Sequence, residues 1–246
     1  MLAGGQRAKT HKSFSTKYIQ WYKGERPVLF AQMQYSHANI PTVTGAIPKL
    51  GGAVAGAVVS KVAAVRGGVI AEGLSSGGRV KLYFHRTPGY WIRIMDFEPH
   101  FRSPTATRSV HHIRELSVRD PSAAKLFGAV ISSSLYFLWF FAEGNCRNLT
   151  LDDVKQFPVG RPSTETLRKV AVLFDELMQD FQRNSFVNTR GDTEFQEFDW
   201  GKSKPIIDRI DIILAKHYGL TEDELDFVVN YDVKIRMGHE AEGEEE

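Results

Sequence analysis

The segment from Asp120 to Phe141, DPSAAKLFGAVISSSLYFLWFF, limits what this chain can fold into more than any other stretch. Asp120 is a favourable helix N-cap, and Pro121 suits the first helical position, where the missing N–H costs nothing. A helix is therefore predicted to start here. From Leu126 onward nearly every residue is apolar or small, including Phe127, Val130, Ile131, Leu135, Tyr136, Phe137, Leu138, Trp139, Phe140 and Phe141. A helix without a polar face must be buried on most sides. The run from Leu126 to Ala142 has 17 residues, the lower edge of the roughly 17–25 that cross a bilayer, and Ser132, Ser133 and Ser134 sit in its middle. The segment reads as the central helix of a soluble core rather than a membrane span.

Around that helix the composition is that of a globular protein: 246 residues, 42% hydrophobic and 24% charged. The net charge of +2 conceals an asymmetry, because the last seven residues, EAEGEEE, hold five of the 29 acids. Between Arg79 and Arg119 there are eight arginines and lysines against three acids, together with His85, His100, His111 and His112. A local excess of this kind can serve a phosphate backbone. A single cysteine, Cys146, excludes an internal disulfide and a cysteine-based zinc cluster, and suits a cytoplasmic location. The basic N-terminus has no apolar run behind it, so no secretory signal is expected.

In chain order, residues 1–25 are expected to be a flexible segment. A short strand is predicted over Arg26–Tyr35 and a loop after it. Leu50, Val54, Val58, Val62 and Val65 recur at helical spacing. The GGAVAG there lacks the glycine spacing of a phosphate-cradling loop. Arg79–Arg86 and Tyr90–Phe97, joined by Thr87-Pro88-Gly89, predict a hairpin, its first strand turning Val80, Leu82 and Phe84 inward and Arg79, Lys81, Tyr83 and His85 to a wet basic face. Thr107–Val118 is a third strand. Beyond the central helix come a short turn at LDDVKQ, an amphipathic helix over Ser163–Arg183, loop over 184–202 with a strand at Thr193–Phe198, and two closing helices, Ser203–Tyr218 and Thr221–Tyr231. Gly219 ends the first of these, and a Thr221/Glu224 capping box opens the second. The expected organisation is a 26–160 α/β core, a 161–238 helical subregion and a 239–246 acidic tail.

His111 and His112, adjacent on a strand, point to opposite faces and cannot share a site. Asp153-Val154-Lys155 and Asp232-Val233-Lys234 have the carboxylate–lysine spacing of a Mg²⁺-dependent nuclease, but both fall in expected helices. The serines of the central helix lack the strained glycine-flanked turn of a nucleophile elbow, and Cys146 is a lone loop cysteine. The stronger signal is aromatic residues interleaved with cations through 79–108, since bases stack on rings and phosphates attract guanidinium groups. Tyr90 and Trp91, at a strand start beside a turn, are expected to be exposed.

Four segments carry a resemblance: GYWIRIMDFEPHF (Gly89–Phe101), RSVHHIREL (Arg108–Leu116), ISSSLYFLWFF with GNCRNLTLDDVKQFPVG (Gly144–Gly160), and Ser203–Gly238. Together with the weaker anchor Ile47-Pro48-Lys49-Leu50-Gly51, they resemble the C-terminal target-recognition region of prokaryotic adenine-specific DNA methyltransferases, often fused to an endonuclease in type II restriction-modification enzymes. The resemblance implies double-stranded DNA as partner, and an upstream catalytic methyltransferase or endonuclease domain or subunit that uses S-adenosylmethionine and flips adenine out of the duplex. The Asn-Pro-Pro-Tyr tetrapeptide of that chemistry does not occur here, so no cofactor and no catalytic residue are assigned to this chain. It reads as a recognition region without its engine: a truncated gene, a split subunit or a deliberately made fragment.

The expected fold is α/β in the α+β sense, a mainly antiparallel sheet packed on the central buried helix, with a helical C-terminal subregion. The expected function is sequence-specific DNA binding. Arg86, Arg93, Arg102, Arg108 and Arg147 would position phosphates or read guanine edges, Lys81 would add a phosphate contact, and Tyr90 and Trp91 would stack against an opened base step. The exposed face of the Ser163 helix would dock the catalytic domain. The alternatives are a Mg²⁺-dependent nuclease fragment and a protein-interaction module.

Overall fold

The computed structural model of the protein describes Gly24, Pro27, Val28, Ala31 and residues 48–50, 52–105 and 113–237. The segment expected as an N-terminal strand is represented only by Pro27, Val28 and Ala31, which are helical rather than extended. The acidic tail lies outside the described residues.

Helix α1 (Ala53–Ala64) opens the main body, and a 3₁₀ turn follows at Ile70–Gly73. Strands β1 (Val80–His85), β2 (Ile94–Met95) and β4 (Ile113–Val118) form an antiparallel sheet of order β2-β1-β4. Phe84 pairs with Ile94 on one side and Arg114 on the other, and Leu82 pairs with Leu116. The alternation read from the sequence places Leu82, Phe84, Ile94, Leu116 and Val118 on the buried face, against α2 (Pro121–Ser132). The second hairpin strand is only two residues long. The Trp91 N–H donates to the Pro88 carbonyl, so residues 88–91 form a turn instead of extending the ladder.

The central helix is not continuous. It breaks at Ser133 into α2 and α3 (Ser134–Glu143), whose axes differ by 70°. Ser133 is extended and caps α3, its Oγ accepting from the Tyr136 N–H at 3.0 Å. The next two free donors, the N–H groups of Ser134 and Leu135, are taken by the Asp211 carboxylate, each at 3.1 Å. A serine cap alone competes weakly with continued helix, but a buried carboxylate at the same turn satisfies the donors that the break releases. Ser132, Ser133 and Ser134 are buried at this corner. Among the described residues, no single helix is long and apolar enough to cross a membrane.

Helix α4 (Leu151–Lys155) carries a Thr150/Asp153 capping box. Helix α5 (Thr164–Arg183), capped by Ser163, buries Val170, Leu173, Phe174, Leu177, Met178 and Phe181 as its periodicity requires. The 184–192 stretch, expected as loop, is a strand: β5 (Ser185–Arg190) pairs along its whole length with β6 (Thr193–Phe198). Strand β3 (Phe101–Arg102) joins the other edge of β6, giving a second sheet of order β3-β6-β5. Helix α6 (Lys204–Tyr218) ends at Gly219 in the left-handed region, φ 67°. The Thr221/Glu224 capping box starts α7 (Glu222–Val229), and α8 (Val233–Met237) follows. On α1 the buried residues are Ala55, Gly56, Val58, Val59 and Val62, whereas Val54 is exposed. The buried face is thus turned from the one expected.

Candidate nucleic-acid interface

Three of the predicted contact residues lie on two backbone segments that meet. Arg86 leaves the end of β1, and its carbonyl accepts from the Leu149 N–H at 2.7 Å, which fastens the 144–149 loop beside the 86–91 turn. That loop is ordered from within: Asn145 Oδ1 accepts from the N–H groups of Arg147 and Asn148 at 2.9 and 2.8 Å. Arg147 is exposed and Arg86 half-exposed. Tyr90, at the tip of the turn that follows Arg86, is 58% exposed, its backbone held by the Arg236 Nε–H donating to its carbonyl at 3.3 Å. Lys49, not singled out from the sequence as a contact, is a further cation. Its N–H donates to the Ala142 carbonyl, and its charge offsets part of the burial that raises the Cys146 thiol above its ordinary range. Among the described residues, Lys49, Arg86 and Arg147 form no ion pair. Cations without acid partners can take phosphate oxygens, and an exposed ring can take a base face.

The other candidates are placed differently. Lys81 is bound to Glu115 at 2.6 Å and to Ser117 at 2.7 Å, so that cation of the basic face expected on β1 is neutralised. Arg102 lies on β3 and pairs with Glu194, which His100 also contacts. Trp91, expected to be exposed, is buried. Its Nε1–H donates to the Arg236 carbonyl, and the Arg236 guanidinium stacks on its ring and on that of Phe137. Arg93 turns inward over Trp200, 5.0 Å from the ring centroid. Burial lowers its pKa to about 10, opposed by Glu197, and its Nε has no hydrogen-bond partner. Both corrections have one cause: a tryptophan or arginine near a turn is drawn in when the partner that covers it comes from a distant segment. Arg108, His111 and His112 lie outside the described residues.

The 86–91 turn is tied to a buried polar node. Arg236 donates to Ser134 Oγ at 3.1 Å, next to the Asp211 carboxylate that holds the start of α3. Burial pushes the Asp211 carboxyl up to about 6 against the pull of these donors and of Arg236. Burial also lowers Arg236 to about 10, opposed by Asp211. The node joins Tyr90, Trp91, Ser134, Asp211 and Arg236, drawn from three of the resembling segments. The Gly144–Gly160 part of the segment that supplies Ser134 is tied to α6 by Tyr218 donating to the Pro158 carbonyl and by the His217 Nε2–Val159 carbonyl bond, both at 2.8 Å.

Of the two carboxylate–lysine pairs, the Lys234 side chain of Asp232-Val233-Lys234 lies outside the described residues. Asp153 accepts from the Thr150 N–H and Oγ–H within the α4 capping box. Among the described residues, no group of three or more His, Cys, Asp or Glu side chains is placed to hold a metal ion. Compared with protein-family models, curated proteins and solved structures, the chain matches none.

Proposed function

We propose that this chain binds double-stranded DNA sequence-specifically as the target-recognition part of an adenine-specific methyltransferase or fused restriction-modification enzyme. Catalysis then belongs to a separate domain or subunit that uses S-adenosylmethionine. The observation that carries the reading is that Arg86 and Arg147, on two segments joined by the Leu149–Arg86 backbone bond, and Lys49 have no acid partner among the described residues, and that the turn following Arg86 exposes the Tyr90 ring. Phosphate contacts at Lys49, Arg86 and Arg147 would set register, and Tyr90 would meet a base step. The interlocking of three of the resembling segments at the buried polar node is a second support, because a rigid base holds functional side chains in position.

The test is fluorescence anisotropy of labelled duplex DNA against a salt series. Binding whose affinity falls with salt at a slope of about −0.9 per phosphate contact is expected, and the Arg86→Ala/Arg147→Ala variant should lose both affinity and slope. The same losses in a Lys169→Ala/Lys202→Ala variant, whose lysines sit in ion pairs with Glu165 and Asp199, would place the contacts on another face.

A further inference from the structure

A second open feature lies on the helical part of the molecule. Helices α5 and α6 are bridged by Arg209 and Glu176 at 2.6 Å, and beside this bridge runs a groove of about 280 Å³. Its walls are Val172, Leu173, Ile212 and Ile213, and Arg168, Lys169 and Arg209 stand along its rim. Val172 is 57% exposed and Ile212 43% exposed, facing residues of two adjacent helices that the fold leaves to water. Lys169 is bridged to Glu165 and Arg209 to Glu176, while Arg168 makes no ion pair among the described residues. Lys216 and Arg168 also act on Glu165 from nearby, so positive charge is in surplus along the groove.

We propose that this groove docks an amphipathic helix of a partner protein, one that carries acidic residues beside its apolar stripe. A channel between two packed helices accepts the side-chain ridge of a third helix, and aliphatic walls take its anchors at i, i+3, i+4 and i+7. The cationic rim selects the sign of the flanking charges. A second copy of this chain fits poorly, because a two-fold contact through this patch would bring the Arg168 and Arg209 side chains near their own counterparts. DNA fits poorly as well, since aliphatic walls offer a base neither a stacking plane nor a hydrogen bond. The groove includes none of Arg86, Tyr90 and Arg147, and the proposal stands without the DNA-binding reading.

The experiment is selection from an unbiased display library of helical peptides of about 16 residues on the immobilised protein, followed by measurement of the selected peptides by calorimetry. Selected peptides should combine an apolar stripe with Asp or Glu at its margins. Val172→Asp and Ile212→Asp, substitutions at exposed positions, should each weaken their binding at least about tenfold with the thermal midpoint unchanged. Arg168→Glu should weaken the acidic peptides and strengthen versions with lysine at the margins. Selection of basic peptides, binding indifferent to both Asp variants, or no enriched sequence would overturn the proposal. So would groove-dependent binding of vesicles containing anionic phospholipid at an affinity equal to that of the peptides, which would make the surface a lipid contact.

Discussion

The indole N–H of Trp91 donates to the carbonyl oxygen of Arg236 at 3.1 Å while the Arg236 guanidinium lies 4.1 Å from the centre of the same indole ring. Each residue therefore covers the other's polar group, and the C-terminal helix α8 is tied to the turn that presents Tyr90. Truncating Trp91 to alanine removes the ring, the hydrogen bond and the stacking surface together. The expected loss is about 3–5 kcal/mol in urea unfolding, whereas Trp91→Phe, which keeps a ring and loses only the donor, should lose less than half of that. A near-neutral Trp91→Ala would mean that α8 is not docked in solution.

Asp211 gives a pH signature. Burial raises its carboxyl from the ordinary 3.8 to about 6 in the folded protein. Between those values the folded state binds more protons than the unfolded state, so this group's contribution is fully present below about pH 4 and lost as pH rises through 6. Its size is on the order of 3 kcal/mol. Other carboxylates, among them Asp120 held low by the Ala123 N–H and Arg119, act in the opposite direction, so the reading must be differential. In Asp211→Asn the stability difference from the parent should shift in favour of the variant between pH 4 and pH 7. A flat difference would show that Asp211 titrates normally.

The arginines expected from the sequence to contact DNA should divide into two kinds. Arg86→Ala and Arg147→Ala are expected to leave the unfolding midpoint in place and each to reduce the salt slope of DNA binding by about one. Arg93→Ala is expected to lower stability by about 1–2 kcal/mol through the lost contact with Trp200, without altering the slope. Denaturant titration beside the anisotropy series separates the two. A slope change in Arg93→Ala with unchanged stability would return that residue to the surface.

Helices α2 and α5 pack on each other, and a Cβ added at Gly128 would overlap the ring of Phe174. Gly128→Ala should therefore destabilise by about 1–3 kcal/mol despite alanine's better helix propensity. Phe174→Leu in the same chain should recover part of the loss. An additive double variant in thermal unfolding would mean that the two side chains do not meet.

Much of the secondary structure was legible because its signals are local. Ser163 and the Thr221/Glu224 box mark helix starts, Gly219 marks an end, and the alternation of Val80, Leu82 and Phe84 marks a strand with one buried face. Each signal acts within one turn or one pleat, so a single sequence carries it. The exposed Arg86, Tyr90 and Arg147 were partly legible for the same reason, as polar and aromatic residues beside turn signals. Tertiary structure decided the break at Ser133, the inward turn of Trp91 and Arg93, and the strand at Ser185–Arg190. The break follows from a carboxylate 77 residues away, and the burial of Trp91 from an arginine 145 residues away. Trp200 comes from beyond the second sheet to meet Arg93, and β5 is held by its ladder with β6. Helix caps and pleats are chosen by near neighbours along the chain, whereas burial of a mixed polar and apolar side chain depends on which distant group arrives to satisfy it.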